Sequence, residues 1–352
     1  MEITSFYEAS VNDGLESICF NELRHRFGSQ VKLLHPIGRW PGAIQFTYSG
    51  NPIKLFQLKT VLSLFLVHQI PVSRPRALMG HQSFQFLLGQ IQALRKLMPK
   101  GAFKTVYLAA AGSESQVMTR FVDEVAQNTG LTVASDEGDL LIRLRRPLDR
   151  PERGWDVMIR MTPRPLSMRE WRVCDYMGAL NASAAHALAM VTQPNPEDVF
   201  LNVACGSGSI LIERADLMPV KMAIGCDINE EALRCARRNV TAAKVPARIL
   251  LAPWDACALP LPDQCVDVVC GDLPFGHHVG SHQENLALYP QLMAEAARVL
   301  RPKGRCVILT HEIRLMTSLM ENSDVWETRQ VIPLMLNGLH PRIFVLGKKN
   351  TA

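Results

Sequence analysis

Asp272-Leu273-Pro274-Phe275-Gly276 closes the apolar run 266–270, and Asn202-Val203-Ala204-Cys205-Gly206-Ser207-Gly208-Ser209 closes the apolar run 198–203. The first has the form Asp/Asn-x-Pro-aromatic. The second reads as a tight glycine turn between a strand and a helix. Around them, apolar runs at 222–226, 248–251 and 305–309 alternate with helix-like stretches at 209–217, 230–243 and 286–300. Near-continuous apolar strands between helices specify a mostly parallel sheet covered on both faces. Two further runs, 325–333 and 342–346, read as a closing hairpin. The expectation for 181–352 is an α/β, doubly wound, seven-stranded Rossmann-like domain.

Ligands of such sheets bind at the carboxyl ends of the strands, beside the point where strand order switches. Gly206 and Gly208 follow the first strand, and a side chain at either would keep a ligand off the backbone. Asp227 ends the second strand, 19 residues beyond Gly208, where an acid takes ribose hydroxyls. Asp255, in the turn Pro253-Trp254-Asp255-Ala256 after the third strand, is suited to accept from an adenine amine. Asp272 ends the fourth strand. Taken singly, each acid is more often a helix cap or a turn residue, and a lone Gly-x-Gly is turn chemistry. Four such features at four successive strand ends outweigh that bland reading. NAD is disfavoured, because Leu211 stands where a dinucleotide fingerprint has its third glycine.

The 352 residues carry a formal net charge of +5. Residues 1–180 hold 22 Lys and Arg against 16 Asp and Glu, so the excess lies in the N-terminal half. Arginine dominates it and suits phosphate, although charge alone also describes a solvated surface. Nine cysteines form no Cys-x-x-Cys pair and no zinc spacing, so no metal is expected; several, Cys205, Cys226, Cys270 and Cys306, sit in apolar runs and read as small buried hydrophobes in a reducing cytosol. The apolar run 61–67 is too short to span a bilayer, and no secretory signal opens the chain. A cytoplasmic protein without a membrane partner is expected.

Residues 181–347 resemble the class I S-adenosylmethionine-dependent methyltransferases that act on amino groups. Asp272 to Gly276, followed by Gly280-Ser281, is similar to the motif of tRNA guanine-N2 methyltransferases that carry a THUMP domain. Leu180-Asn181-Ala-Ser-Ala-Ala185 resembles the helix ahead of their first strand. That family opens its glycine motif with Asp-Pro, where Asn202-Val203 stand here. The resemblance implies S-adenosyl-L-methionine as cofactor, held by Asn202, Ala204, Gly206, Gly208, Asp227, Ile228, Asp255, Ala256 and Asp272. It implies tRNA as partner and a monomer, and leaves open a small activating protein.

The amine of guanine is a poor nucleophile, because its lone pair is delocalised into the ring. Asp272 is suited to accept one N–H and the Leu273 carbonyl the other. Pro274 fixes the backbone and removes a competing donor, and Phe275 offers a stacking face. These four are the expected catalytic residues. The target base has to be single-stranded or flipped out. His277, His278 and His282 read as part of a lid rather than a metal site, and Asn285 and Tyr289 as contacts to base or ribose. The same motif also serves adenine-N6 and protein-glutamine methylation. A non-catalytic RNA-binding protein is the rival of a different class, supported by Asn202-Val203.

Residues 1–68 read as strand, helix, strand, strand and helix, an α+β ferredoxin-like unit. Residues 69–165, with helices at 83–96 and 115–129 and strands at 105–110, 140–144 and 155–160, resemble a THUMP domain, the module that holds the tRNA acceptor end in the family. Residues 166–180 resemble its basic linker. Arg120, Arg143, Arg145, Arg146, Arg169 and Arg172 are the expected phosphate contacts; singly, each is more often a solvated arginine.

Overall fold

Apolar residues spaced by helical and strand periods place one face of each element in a core, and this alternation sorts the chain into two compact units. A computed structural model describes residues 3–274 and 281–349. One unit comprises Met1–Val11 and Cys19–Ser167, the other Asn12–Ile18 and Met168–Ala352.

The first unit is built from β1 (Thr4–Ser10), α1 (Glu16–Phe27), β2 (Val31–Leu33), β3 (Ala43–Tyr48), β4 (Ser63–Ile70), α2 (His81–Arg95), β5 (Thr105–Ala110), α3 (Gln116–Thr129), β6 (Thr132–Val133), β7 (Leu140–Arg145) and β8 (Trp155–Arg160). These strands form one sheet in the order β2-β3-β1-β4-β8-β7-β5-β6. Cys19, Leu23 and Phe27 of α1 join Phe84, Leu87 and Ile91 of α2 and Phe121 and Val125 of α3 in its core. The expected boundary at 68/69 is corrected. It falls inside β4, which pairs with β1 on one side and β8 on the other. The helix expected to close the first segment is a 3-10 turn, Pro52–Gln57, with Pro52 at its start. The apolar run that follows enters the sheet as β4.

The second unit holds α4 (Ala182–Val191), β9 (Val199–Val203), α5 (Ser209–Leu217), β10 (Met222–Cys226), α6 (Glu230–Ala243), β11 (Ile249–Ala252), β12 (Val266–Asp272), α7 (His282–Val299), β13 (Leu300–Thr310), α8 (Ile313–Glu321), β14 (Trp326–Pro333) and β15 (Arg342–Lys348). Its seven strands run β11-β10-β9-β12-β13-β15-β14. The first five are parallel, and β15 and β14 are antiparallel. Period-2 alternation supplies both cores: Leu201, Val203 and Ile308 pack with α7 and α8, while Phe200, Val268 and Val307 pack with α4 and α5. Strand order reverses between β9 and β12, which sets the switch point at the glycine turn and Asp272. The stretch 166–180 is not a free linker, since from Met168 onward it belongs to this unit.

Candidate functional site

A cavity of about 290 Å³ opens at the carboxyl ends of β9 to β12. After β9 the chain turns through Ala204 (φ +47°), Gly206 (φ +53°) and Gly208 (φ +84°), and the Gly208 N–H donates to the Cys205 carbonyl at 2.9 Å. Gly206 lines the cavity, and a Cβ there would meet no protein atom within 4 Å, so a side chain would occupy ligand space. Gly208 does not line the cavity; its Cβ position lies 3.4 Å from Ala236 of α6, so it serves the turn and the helix contact. Asp227 closes the turn from β10, accepting the Gly206 N–H on one oxygen and the Asn229 N–H on the other, each at 2.9 Å. Each oxygen keeps capacity for a further donor.

Ile228, 75% exposed, and the Trp254-Asp255-Ala256 turn line the same cavity. The Cys257 N–H donates to Asp255 Oδ1 at 2.8 Å, orienting an otherwise exposed carboxylate. The opposite wall is 176–180, which the sequence reading assigned to the linker. Asn239 clamps that wall to the glycine turn: its Oδ1 accepts the Cys174 N–H at 2.9 Å, and its Nδ2 donates to the carbonyls of Cys174 and Ser207. A Cys174–Cys235 disulfide, which a reducing cytosol would not lead one to expect, reinforces the same junction, while Cys205, Cys226, Cys270 and Cys306 are free and buried as expected. Tyr176 at this wall accepts from Asn229 Nδ2 at 2.9 Å.

Asp272, Leu273 and Pro274 complete the lining. Asp272 is half-buried, and its Oδ1 is enclosed without a hydrogen-bond partner among the described residues. Burial pushes its carboxyl up to about 7. An enclosed acceptor without a partner is costly, and a native fold keeps one where a ligand serves it. The Tyr289 hydroxyl donates to the Pro274 carbonyl at 2.8 Å, fixing the peptide next to Leu273. Tyr289 is fully buried, so it supports the motif from behind. Phe275, Gly276, His277, His278 and Gly280 lie outside the described residues.

Asn202 is corrected as a cofactor ligand. It does not line the cavity: it is fully buried, with Nδ2 donating to the Val203 and Cys270 carbonyls, which ties β9 to β12, and with Oδ1 lacking a partner among the described residues. The expected phosphate contacts divide. Arg145 pairs with Glu8 and Asp156, and Arg169, 6% exposed, with Glu213, so both are committed to buried carboxylates. Arg172 donates to the Leu180 carbonyl and Ser209 Oγ beside the cavity. Arg120 pairs with Glu124 in a groove also lined by Glu114 and Asp123, a poor setting for phosphate. Arg143, over the Phe65 ring, remains exposed; Arg146, over the Trp155 ring, is exposed as well but donates to the Gly154 and Ser73 carbonyls at 3.0 and 3.1 Å. Among the described residues no group of His, Cys, Asp and Glu could hold a metal ion, and no helix is long and apolar enough to cross a membrane.

Residues 169–342 match the family model UPF0020, described as RMKL-like, methyltransferase domain. A mouse protein named tRNA (guanine(6)-N(2))-methyltransferase THUMP3 is 32% identical over 182 residues, covering 48% of this chain and 36% of its own. A protein of Methanocaldococcus jannaschii named tRNA (guanine(6)-N2)-methyltransferase is 24% identical over 257 residues, covering 62% of this chain and 66% of its own. The chain spans about a third of the length of the mammalian THUMP3 relatives it matches. The crystal structure of TrmN from Thermus thermophilus is similar with a TM-score of 0.74 at 22% identity, covering 98% of this chain and 100% of that one. That likeness establishes the fold, an α/β architecture with mixed sheets.

Proposed function

We propose that this chain is an S-adenosylmethionine-dependent tRNA methyltransferase that forms N2-methylguanosine. The enclosed Oδ1 of Asp272, without a partner among the described residues, carries the proposal, because it stands on the same cavity as Gly206, Asp227 and Asp255. The residues fit the cofactor. Gly206 leaves the backbone open to a ligand, Asp227 offers its carboxylate to ribose hydroxyls, and Asp255 offers acceptance to an adenine amine, with Ile228 and Ala256 as apolar walls. When bound, S-adenosylmethionine supplies a methyl group on a sulfonium and leaves as the neutral thioether.

The protein's own part is positioning and proton transfer. Asp272 and the Leu273 carbonyl accept the two amine N–H groups, which turns the nitrogen lone pair toward the methyl. Asp272 then takes the proton that the new N–C bond expels and passes it to solvent. Its carboxyl, poised near neutrality by burial, is suited to both states. Tyr289 keeps the Pro274 carbonyl occupied.

For the first unit, we infer a ferredoxin-like segment continuous with a THUMP-like segment that holds the acceptor end of a cytoplasmic tRNA, with a target in the acceptor-stem region. The basic bias of residues 1–180 and the exposed, ring-backed Arg143 and Arg146 support this. The test is methyl transfer to unmodified tRNA with nucleoside mass spectrometry, on wild type and Asp272→Ala. N2-methylguanosine from wild type alone is expected. Another methylated nucleoside, or equal product from both proteins, would refute the assignment. Affinity for tRNA should also fall steeply with salt.

A further inference from the structure

β13 ends beside the strand that carries Asp272, and the chain there presents a second acid. Asp272 pairs with Leu309 in the sheet register, and the Leu273 N–H donates to the Leu309 carbonyl at 3.0 Å. The Tyr289 hydroxyl joins the Pro274 carbonyl at 2.8 Å to Thr310 Oγ1 at 2.7 Å. Thr310 Oγ1 in turn accepts the Glu312 N–H at 2.9 Å. Three hydrogen bonds in series thus fix the backbone of Glu312 to the catalytic motif.

Glu312 holds the N-cap position of α8, yet its side chain caps nothing. The carboxylate, 14% exposed, turns toward α7 instead. Oε1 takes Asn285 Nδ2 at 3.2 Å and His282 Nδ1 at 3.0 Å. Oε2 takes His282 at 2.9 Å, and His282 is itself 65% exposed, so Oε2 keeps acceptor capacity. Asn285 is fully buried, and its Oδ1 has no partner among the described residues. Asp272 at the end of β12 and Glu312, three residues beyond its register partner Leu309, therefore stand on neighbouring strand ends, each with a carboxylate acceptor.

Such a setting selects the edge of the base. Guanine presents a ring N1–H beside its exocyclic amine, whereas adenine presents a bare N1 acceptor beside its amine. We propose that Glu312 determines specificity for the target base, accepting N1–H of guanine while Asp272 and the Leu273 carbonyl accept from the amine. This rests on the guanine-N2 reading above. A base lacking N1–H forfeits the hydrogen bond to Oε2 and sets a bare ring-nitrogen lone pair against the carboxylate, and that loss produces discrimination.

The experiment compares two RNAs, one with guanine and one with 2-aminopurine at the mapped target. 2-Aminopurine keeps the amine and lacks N1–H. Wild type should prefer guanine by about 10- to 100-fold in kcat/KM, from one charge-assisted hydrogen bond. Glu312→Ala should lose that factor on guanine and leave 2-aminopurine within about twofold. Glu312→Gln, which retains an acceptor, should recover part of the preference, and it decides the matter if the alanine protein no longer binds cofactor. Equal losses on both RNAs would mark a purely structural role and overturn the proposal. So would an unchanged preference in both variants. Absence of N2-methylguanosine from wild type would instead overturn the functional reading, and this inference with it.

Discussion

Each unit buries a carboxylate whose acidity is weakened by loss of water, and the two are resolved differently. Asp156 in the first unit is pushed up to about 6, with Arg145 and Gln69 as partners. Asp272 in the second is pushed up to about 7 with no protein partner on its enclosed oxygen among the described residues. Desolvation is the leading cause at both. A partner marks the first acid as part of the sheet's internal wiring, and its lack marks the second as waiting for a ligand.

Exchanging the two acids by mutation gives the largest contrast. Asp272→Ala should lower turnover by about 10³-fold or more, with a cofactor titration showing a folded protein. Asp156→Ala should leave kcat close to wild type once thermal stability is accounted for. A comparable loss of kcat at Asp156 would erase the distinction. Next comes Arg145→Ala, which strands Glu8 and Asp156 together, 3% and 1% exposed. Breaking such a pair should destabilise the first unit by about 3 kcal/mol, read by urea denaturation. A loss below about 1 kcal/mol would mean the pair is solvated like a surface bridge.

Gly206→Val tests the open side of the glycine turn. Its β-branched side chain enters the cavity and also meets an unfavourable φ of +53°, so calorimetry should read cofactor affinity lower by about 10-fold or more. The smallest expected effect is in pH. The folded carboxyl of Asp272 titrates near 7 against an ordinary value of 3.8, so stability present below pH 4 is lost as pH rises through 7. Asp272→Asn removes that loss. Its melting temperature should exceed wild type by about 2 °C or more at pH 8 and match it near pH 4. In wild type, kcat/KM should climb through pH 7 as the acceptor form accumulates. A flat profile from 6 to 8 would place the ionisation elsewhere.

The second unit was largely legible in sequence, because parallel strands buried on both faces leave uninterrupted apolar runs. The runs at 222–226 and 266–270, and helices 209–217 and 230–243, fall where expected. The first unit was harder. Residues 52–57 carry helical composition, but Pro52 starts only a 3-10 turn, and β4 hid in a run too uniform to declare its period. At the site, Gly206, Asp227, Asp255 and Asp272 stood out because strand ends are readable. Tyr176 and Asn239 did not, since nothing local says that a segment before α4 folds back over the cavity. Asn202 misled for the opposite reason: it lies in the motif by sequence but points into the sheet. Arg145 and Arg169 look like any solvated arginine until Glu8 and Glu213, far away in sequence, are brought against them.

The short stretch Asn12–Ile18 has a consequence for how the chain is made and cut. Leu15 is fully buried against Leu334 and Ile343, the Asp13 carbonyl accepts the Met335 N–H at 2.9 Å, and a Cβ on Gly14 would fall 2.0 Å from the Pro333 carbonyl. Residues near the start of the chain thus finish a core whose last strands are near its end. On the ribosome this stretch is made before the strands it seats against and waits for residues 333–343 before it finds its place. A fragment beginning at 168 would carry every cavity-lining residue among those described and still expose apolar surface, so the second unit is not a detachable module.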